Sequence, residues 1–189
     1  FLYDRQTESW DPIVFDYNAD TNKFTAKKSG VLSLDGICIS PNGKWVSGVL
    51  YTAEDARCPF RYSTETKEVE YMMRADDLDK GCVVIDDNGT IYAATPAVSP
   101  SRSLYILHDN YWYGLDELLQ QRYGIDYYTR TGYYSTGLAS AISANGKVLA
   151  GMAYISEDNY VLELPESFAE ACSKVNLLST YNVTPRSGS

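Results

Sequence analysis

A CxxC motif, long apolar runs, a surplus of cations and all but one histidine are missing from this chain of 189 residues. Each absence closes off a class of function. No stretch of about 18 apolar residues occurs, so the sequence holds no membrane-spanning helix. Lysine and arginine total 16 against 25 aspartates and glutamates, a net charge of −9. Such a surface repels phosphate backbones, and nucleic acid is not an expected partner. His108 is the single histidine, and Cys38, Cys58, Cys82 and Cys172 form no CxxC pair, so a zinc site lacks its ligands. The cysteines leave two readings open, buried free thiols or one disulfide. Cys38 and Cys82 each lie in an apolar, strand-like run ahead of a turn, where a small buried thiol is the usual occupant. No glycine-rich phosphate loop follows a strand and opens a helix, and no cofactor is expected. The sequence opens at Phe1 without an initiator methionine or a signal segment. It reads as a processed or recombinant fragment whose export signal lies outside it.

Tyrosine is what the chain has in excess, 17 against five phenylalanines. These rings suit strands and tolerate water through their hydroxyls. They serve either cross-strand packing or a stacking surface for sugars and peptides.

Three segments repeat one pattern: Ile39-Ser40-Pro41-Asn42-Gly43-Lys44, Ile85-Asp86-Asp87-Asn88-Gly89-Thr90 and Ile142-Ser143-Ala144-Asn145-Gly146-Lys147. Asn-Gly between apolar runs is the strongest short hairpin signal, and a type I′ turn is expected at each. Six residues after each Asn stands a small residue, Gly48, Ala94 or Gly151, suggesting close backbone approach. Gly36, Gly81 and Gly137 open the strand ahead of each turn. A third strand is read at Cys58–Tyr62, Leu104–Leu107 and Tyr160–Leu164, with an earlier copy at Pro12–Tyr17. A fourth is read at Phe24–Lys27, Glu68–Met72 and Tyr111–Leu115.

Four short antiparallel strands per unit of roughly 45 residues is the size of a propeller blade. The expected fold is therefore all-β: four-stranded antiparallel blades of a partial β-propeller, with a short helical insertion and a C-terminal helix. The blades span about 1–35, 36–80, 81–136 and 137–164, within a repeat domain over 1–164 and a C-terminal helix and tail over 165–189. Between the second and third turns the repeat is longer. The excess maps to a helix from Asp116 to Gly124 and a tyrosine-rich stretch to Tyr134. Pro165–Ser179 reads as a second helix with Phe168, Ala171, Cys172 and Val175 on one side. Too few blades are visible to close a ring, so exposed sheet edges are expected to drive self-association.

Phe60-Arg61-Tyr62, preceded by Pro59, resembles the Ala-Phe-Arg-Trp core of the HAF-type extracellular repeats. Those repeats also carry an Ile-(Ser/Asn)-x-x-Gly turn followed by Val-x-Gly, which Ile39–Gly48 and Ile142–Gly151 resemble. The likeness covers about residues 36–164. The middle repeat departs from it, with Ala94 for the glycine and Leu104-Tyr105-Ile106 for the aromatic-arginine core. The overall organisation is also similar to surface proteins of gut Bacteroidetes. The resemblance implies a secreted or surface-exposed bacterial protein with a propeller-like fold; it does not imply an enzyme activity.

Catalytic constellations are sparse. Asp76-Asp77-Leu78-Asp79 offers oxygen ligands but no complete calcium loop, and Asp86-Asp87-Asn88-Gly89 aligns with the hairpins instead. His108 precedes Asp109-Asn110 at a strand end and reads as a turn residue. The candidate ligand surface is aromatic: Tyr111, Trp112, Tyr113, Tyr127, Tyr128, Tyr133 and Tyr134, in or beside the insertion, where rim loops of repeat folds commonly bind. The expected function is a non-catalytic secreted or cell-surface scaffold that binds a glycan or protein through its rim loops. The alternative is part of a carbohydrate-active enzyme with active residues partly outside this chain.

Overall fold

A computed structural model describes residues 2–11, 13, 15–18, 20, 23–26, 31–52, 57–71, 83–94, 104–109, 111–126, 138–152, 159–176 and 181–182. The described chain is mostly β, in antiparallel sheets joined in sequence order. Strands β5 (Val31–Ile39), β6 (Trp45–Thr52), β7 (Arg57–Ser63) and β8 (Val69–Tyr71) form a four-stranded meander. A second meander follows in β9 (Val83–Ile85), β10 (Ile91–Ala94), β11 (Leu104–His108) and β12 (Tyr111–Gly114). A short C-terminal strand, β16 (Tyr181–Asn182), adds to its outer edge along β12. The third sheet has three strands, β13 (Leu138–Ile142), β14 (Val148–Met152) and β15 (Asn159–Glu163). Two hairpins precede these sheets, β1 (Leu2–Asp4) with β2 (Ser9–Asp11) and β3 (Phe15–Asn18) with β4 (Lys23–Ala26). The first of them has no counterpart in the repeat read from the sequence.

The strands fall close to their expected positions, with β7, β11 and β15 third in each unit and β4, β8 and β12 fourth. The turn chemistry differs from expectation. Gly43, Gly89 and Gly146 have φ of +73°, +79° and +65°, but Asn42, Asn88 and Asn145 are not left-handed. A type I′ turn needs positive φ at both central residues, so these are not type I′. Each is a tight turn in which the glycine N–H returns to the carbonyl three residues back: Gly43 to Ser40 (2.9 Å), Gly89 to Asp86 (3.1 Å) and Gly146 to Ser143 (2.9 Å). A left-handed glycine after such a turn lets the chain re-enter the next strand. Gly36 is a second correction. It lies inside β5 at φ +59°, where the register slips between Asp35 and Cys38, so it makes a bulge and does not open the strand. Gly81 and Gly137 lie outside the described residues.

The helices are short. α1 (Leu115–Tyr123) buries Leu115, Leu118 and Leu119 and stops at Gly124, whose φ of +64° ends the helical path. α2 covers only Phe168–Cys172, not the whole of 165–179. Its start is set by a capping box: Ser167 Oγ accepts from Glu170 N–H (3.1 Å) while Ser167 N–H donates to the Glu170 carboxylate (2.9 Å). Phe168, Ala171 and Cys172 face inward as expected.

The second meander is buried on both faces, because alternate side chains point to opposite sides of a strand. Ile91, Ala93, Val83, Ile85, Leu107 and Trp112 pack with Val49 and Trp45 of β6. On the other face Tyr92, Val84, Leu104 and Ile106 pack with α1, α2 and the third sheet. A separate cluster of Val46, Leu50, Phe60, Tyr62, Tyr71 and Ile13 fills the far face of the first meander. Each of these larger side chains contributes about 1.5–3 kcal/mol on burial, enough to lock neighbouring sheets together.

Candidate functional site

The three hairpin turns lie side by side. Within each, one residue organises the loop by accepting backbone N–H groups. Ser40 Oγ accepts from Trp45 (3.0 Å), Asp86 Oδ1 from Asn88 (2.9 Å) and Thr90 (3.0 Å), and Ser143 Oγ from Lys147 (3.1 Å) and Val148 (2.9 Å). The Asp86 carboxylate thus serves the turn, in line with the hairpin alignment. Its other oxygen accepts the Tyr92 hydroxyl (3.1 Å). Asp86 is fully buried, and burial raises its pKa; burial and the Asp86 charge push the Tyr92 hydroxyl well above its ordinary value.

Neighbouring turns are bonded to one another. Asn42 N–H donates to Asp87 Oδ1 (2.8 Å), and Asp87 N–H donates to Ala144 O (3.2 Å). The carbonyl of each turn glycine is also taken: Gly43 O by Thr64 Oγ1 (2.9 Å), Gly89 O by Arg61 Nη1 (2.8 Å) and Gly146 O by the N–H of Phe168 (2.8 Å). Arg61 is held in turn by Glu70 (2.7 Å) and lies 5.2 Å from the centre of the Trp45 ring. Two of the three turn glycines fit tightly where turn meets sheet. A Cβ at Gly89 would stand 2.9 Å from Trp45, and one at Gly146 would stand 2.6 Å from Asp86 Oδ2.

Beside this row opens a cleft of about 990 Å³. Its walls are Asn88 and Thr90 of the second turn, Leu107–Asp109 at the end of β11, Ala144–Asn145 and Lys147 of the third turn, and the start of α2. Arg61 and Lys147 bring positive charge, and Asp109 and Glu170 negative charge. His108 Nε2 lies 3.3 Å from Asp109 Oδ2, and Asp109 has a left-handed backbone, φ +48°. The hydroxyls are occupied: Ser167 caps α2 and Ser173 Oγ donates to Glu170 O (2.7 Å). Hydrogen bonds from Ser167 hold the Glu170 carboxyl below the usual range. A glycosidase general acid needs the opposite shift. Among the described residues no three His, Cys, Asp or Glu side chains gather as a metal site.

The three described aromatic candidates do not share one face of their strand. Tyr111 is exposed, Trp112 is only 5 % exposed in the core between the first two meanders, and Tyr113 is half-buried on the opposite face. Trp112 is thus a packing residue, for the plain reason that β12 alternates. Tyr127, Tyr128, Tyr133 and Tyr134 lie outside the described residues, as does the 76–79 cluster. Of the polar lining, Arg61, Asn145 and Lys147 stand in the sequence as motif and turn residues, and neither they nor Glu170 were expected at a binding surface. The two Asn-Gly turns were the available signal. Cys38 and Cys172 are free thiols, and burial pushes that of Cys172 far up.

Neither a family model nor a curated protein matches the chain. Among solved structures, TolB from Acinetobacter baumannii superposes with a TM-score of 0.38 at 14% identity, over 81% of this chain and 39% of that one. The chain spans well under half the length of that protein. The site is therefore read from its own geometry.

Proposed function

We propose that the chain is a non-catalytic scaffold of propeller type, exported from a bacterial cell, that binds a glycan or protein partner through its turn-bearing rim. The three successive sheets correspond to blades, and the cleft between the second and third turns is the seat of the partner. One observation carries this reading. The turns are fixed to each other by Asn42–Asp87 and Asp87–Ala144, which gives a rigid rim beside a polar cleft. A preorganised polar surface binds with little loss of entropy. The occupied hydroxyls and the lowered Glu170 favour binding over catalysis. No helix among the described residues is long and apolar enough to cross a membrane.

The test is a glycan array and a displayed peptide library, each screened with the native chain and with Ala144→Arg. Ala144 is exposed and lines the cleft, and its backbone bond survives the substitution. Specific binding that is lost in Ala144→Arg supports the reading. Binding unchanged by the variant, or turnover of a bound oligosaccharide, overturns it.

A further inference from the structure

Among the described residues, the β1–β2 hairpin presents the two most exposed rings that face each other. Trp10 is 67 % exposed and Tyr3 is 47 % exposed. They are direct cross-strand partners, with ring centres 4.7 Å apart and planes tilted by 41°. Together the two rings present an aromatic surface on the hairpin face.

The hairpin that carries the rings is itself well ordered. Asp4 Oδ1 accepts the N–H groups of Gln6 (2.8 Å) and Thr7 (3.3 Å), and the Thr7 and Ser9 hydroxyls are 2.7 Å apart. The turn bonds from Gln6 and Thr7 hold the Asp4 carboxyl below its ordinary range. Across from the rings stand Ile39, half exposed, and the first Asn-Gly turn, closing a cleft of about 710 Å³. This cleft shares no lining residue with the one beside His108.

Its charges run against the rest of the molecule. Among its described lining residues Arg5 and Lys67 are the cations and Asp4, on which Lys67 acts electrostatically, is the one carboxylate, on a chain of net charge −9. Gln6 and Asn42 add amide groups at the same lining. Flat rings flanked by amides and cations match a sugar: the apolar face of a pyranose stacks on an aromatic ring, and planar polar groups take its hydroxyls. The local excess of cations selects for negative charge.

We infer that the cleft between the Tyr3–Trp10 pair and the first turn is a carbohydrate site for sugars bearing a carboxylate, such as uronic acids. Trp10 and Tyr3 stack on the ring, and Arg5 and Lys67 receive the carboxylate. The site stands independently of the rim cleft proposed above.

Isothermal titration with tetragalacturonate and with maltotetraose tests it. Tetragalacturonate is expected to bind and maltotetraose to bind far more weakly. Trp10→Ala should lower the affinity for tetragalacturonate roughly tenfold. Arg5→Gln with Lys67→Gln should remove the preference for the acidic sugar, whereas Ala144→Arg should leave binding unchanged. The variants at Arg5 and Trp10 are exposed, and circular dichroism checks that each retains its fold. No binding of tetragalacturonate, equal binding of both oligosaccharides by the native chain, or indifference to Trp10→Ala would overturn the inference. Loss of binding in Ala144→Arg would place the sugar in the rim cleft instead, which also overturns it.

Discussion

Asn42 donates its backbone N–H to the Asp87 carboxylate across 2.8 Å, and Asp87 passes its own N–H to Ala144. Residue 87 is thus the middle link between three turns that are far apart in sequence. Asp87→Ala removes the acceptor for Asn42 and is expected to cost about 1 kcal/mol, the net worth of one such bond. Asp87→Asn, which keeps an acceptor oxygen, should cost less. Urea unfolding of the two variants measures the difference.

The turn glycines differ in what surrounds them, so their alanine variants should rank. At Gly43 a Cβ meets nothing within 4 Å, leaving only the left-handed backbone, about 1–2 kcal/mol. At Gly146 it would strike the buried Asp86 carboxylate, adding roughly 1–3 kcal/mol. Gly89, against the Trp45 ring, should fall between or close to Gly146. Thermal unfolding of the three single variants gives the order.

Glu166 ties the end of α1 to the start of α2, meeting Lys174, Tyr123 (2.8 Å) and Arg122 (3.0 Å). Lys174 above all, then Tyr123 and Arg122, hold its carboxyl at about 2, and burial together with Glu166 raises the Tyr123 hydroxyl to about 12. A depressed folded value means the stabilisation is complete above the ordinary glutamate value of 4.5 and is lost as pH falls toward 2. Glu166→Gln should flatten the acid limb of stability against pH. Asp86 has the opposite sign: its stabilisation is present below 3.8 and is lost as pH rises through its raised value. Asp86→Asn should therefore gain, relative to the native chain, as pH rises toward neutrality.

Cys172 is buried and its thiol is pushed up by that burial, so little thiolate forms at neutral pH. Iodoacetamide followed by mass spectrometry should leave Cys172 unmodified in the folded protein and label it in urea.

Val161 is 69 % exposed at the centre of β15, an outer strand of its sheet among the described residues. Such edges pair with other chains. The chain is expected to self-associate with rising concentration in sedimentation velocity, and Val161→Lys to shift it toward monomer. A concentration-independent monomer for the native chain would count against open sheet edges.

Much of this architecture is written locally. Period-two apolar runs flanked by Asn-Gly placed the hairpins, and the Leu118/Leu119 pair with Gly124 placed α1. Two local signals were there to read more finely: Ser167-x-x-Glu170 marks the start of α2, and strand alternation turns Trp112 inward while Tyr111 and Tyr113 face away. The turn type was misread because Asn-Gly admits two geometries, and the hydrogen bonds to Ser40, Asp86 and Ser143 decide between them. The clefts were not legible. Arg61 reaches Gly89 across 28 positions and Asn42 reaches Asp87 across 45, contacts that exist only once the sheets are side by side.

The linked row of turns underlies every reading of the rim, and amide hydrogen exchange of Asn42 tests it most directly. Asn42 is exposed, and its N–H is engaged by Asp87. The account predicts slow exchange at Asn42 in the native chain, and release of that amide in Asp87→Ala while Gly43, bonded within its own turn, stays protected. Exchange at Asn42 as fast as in an unfolded peptide, or unchanged by Asp87→Ala, would contradict it.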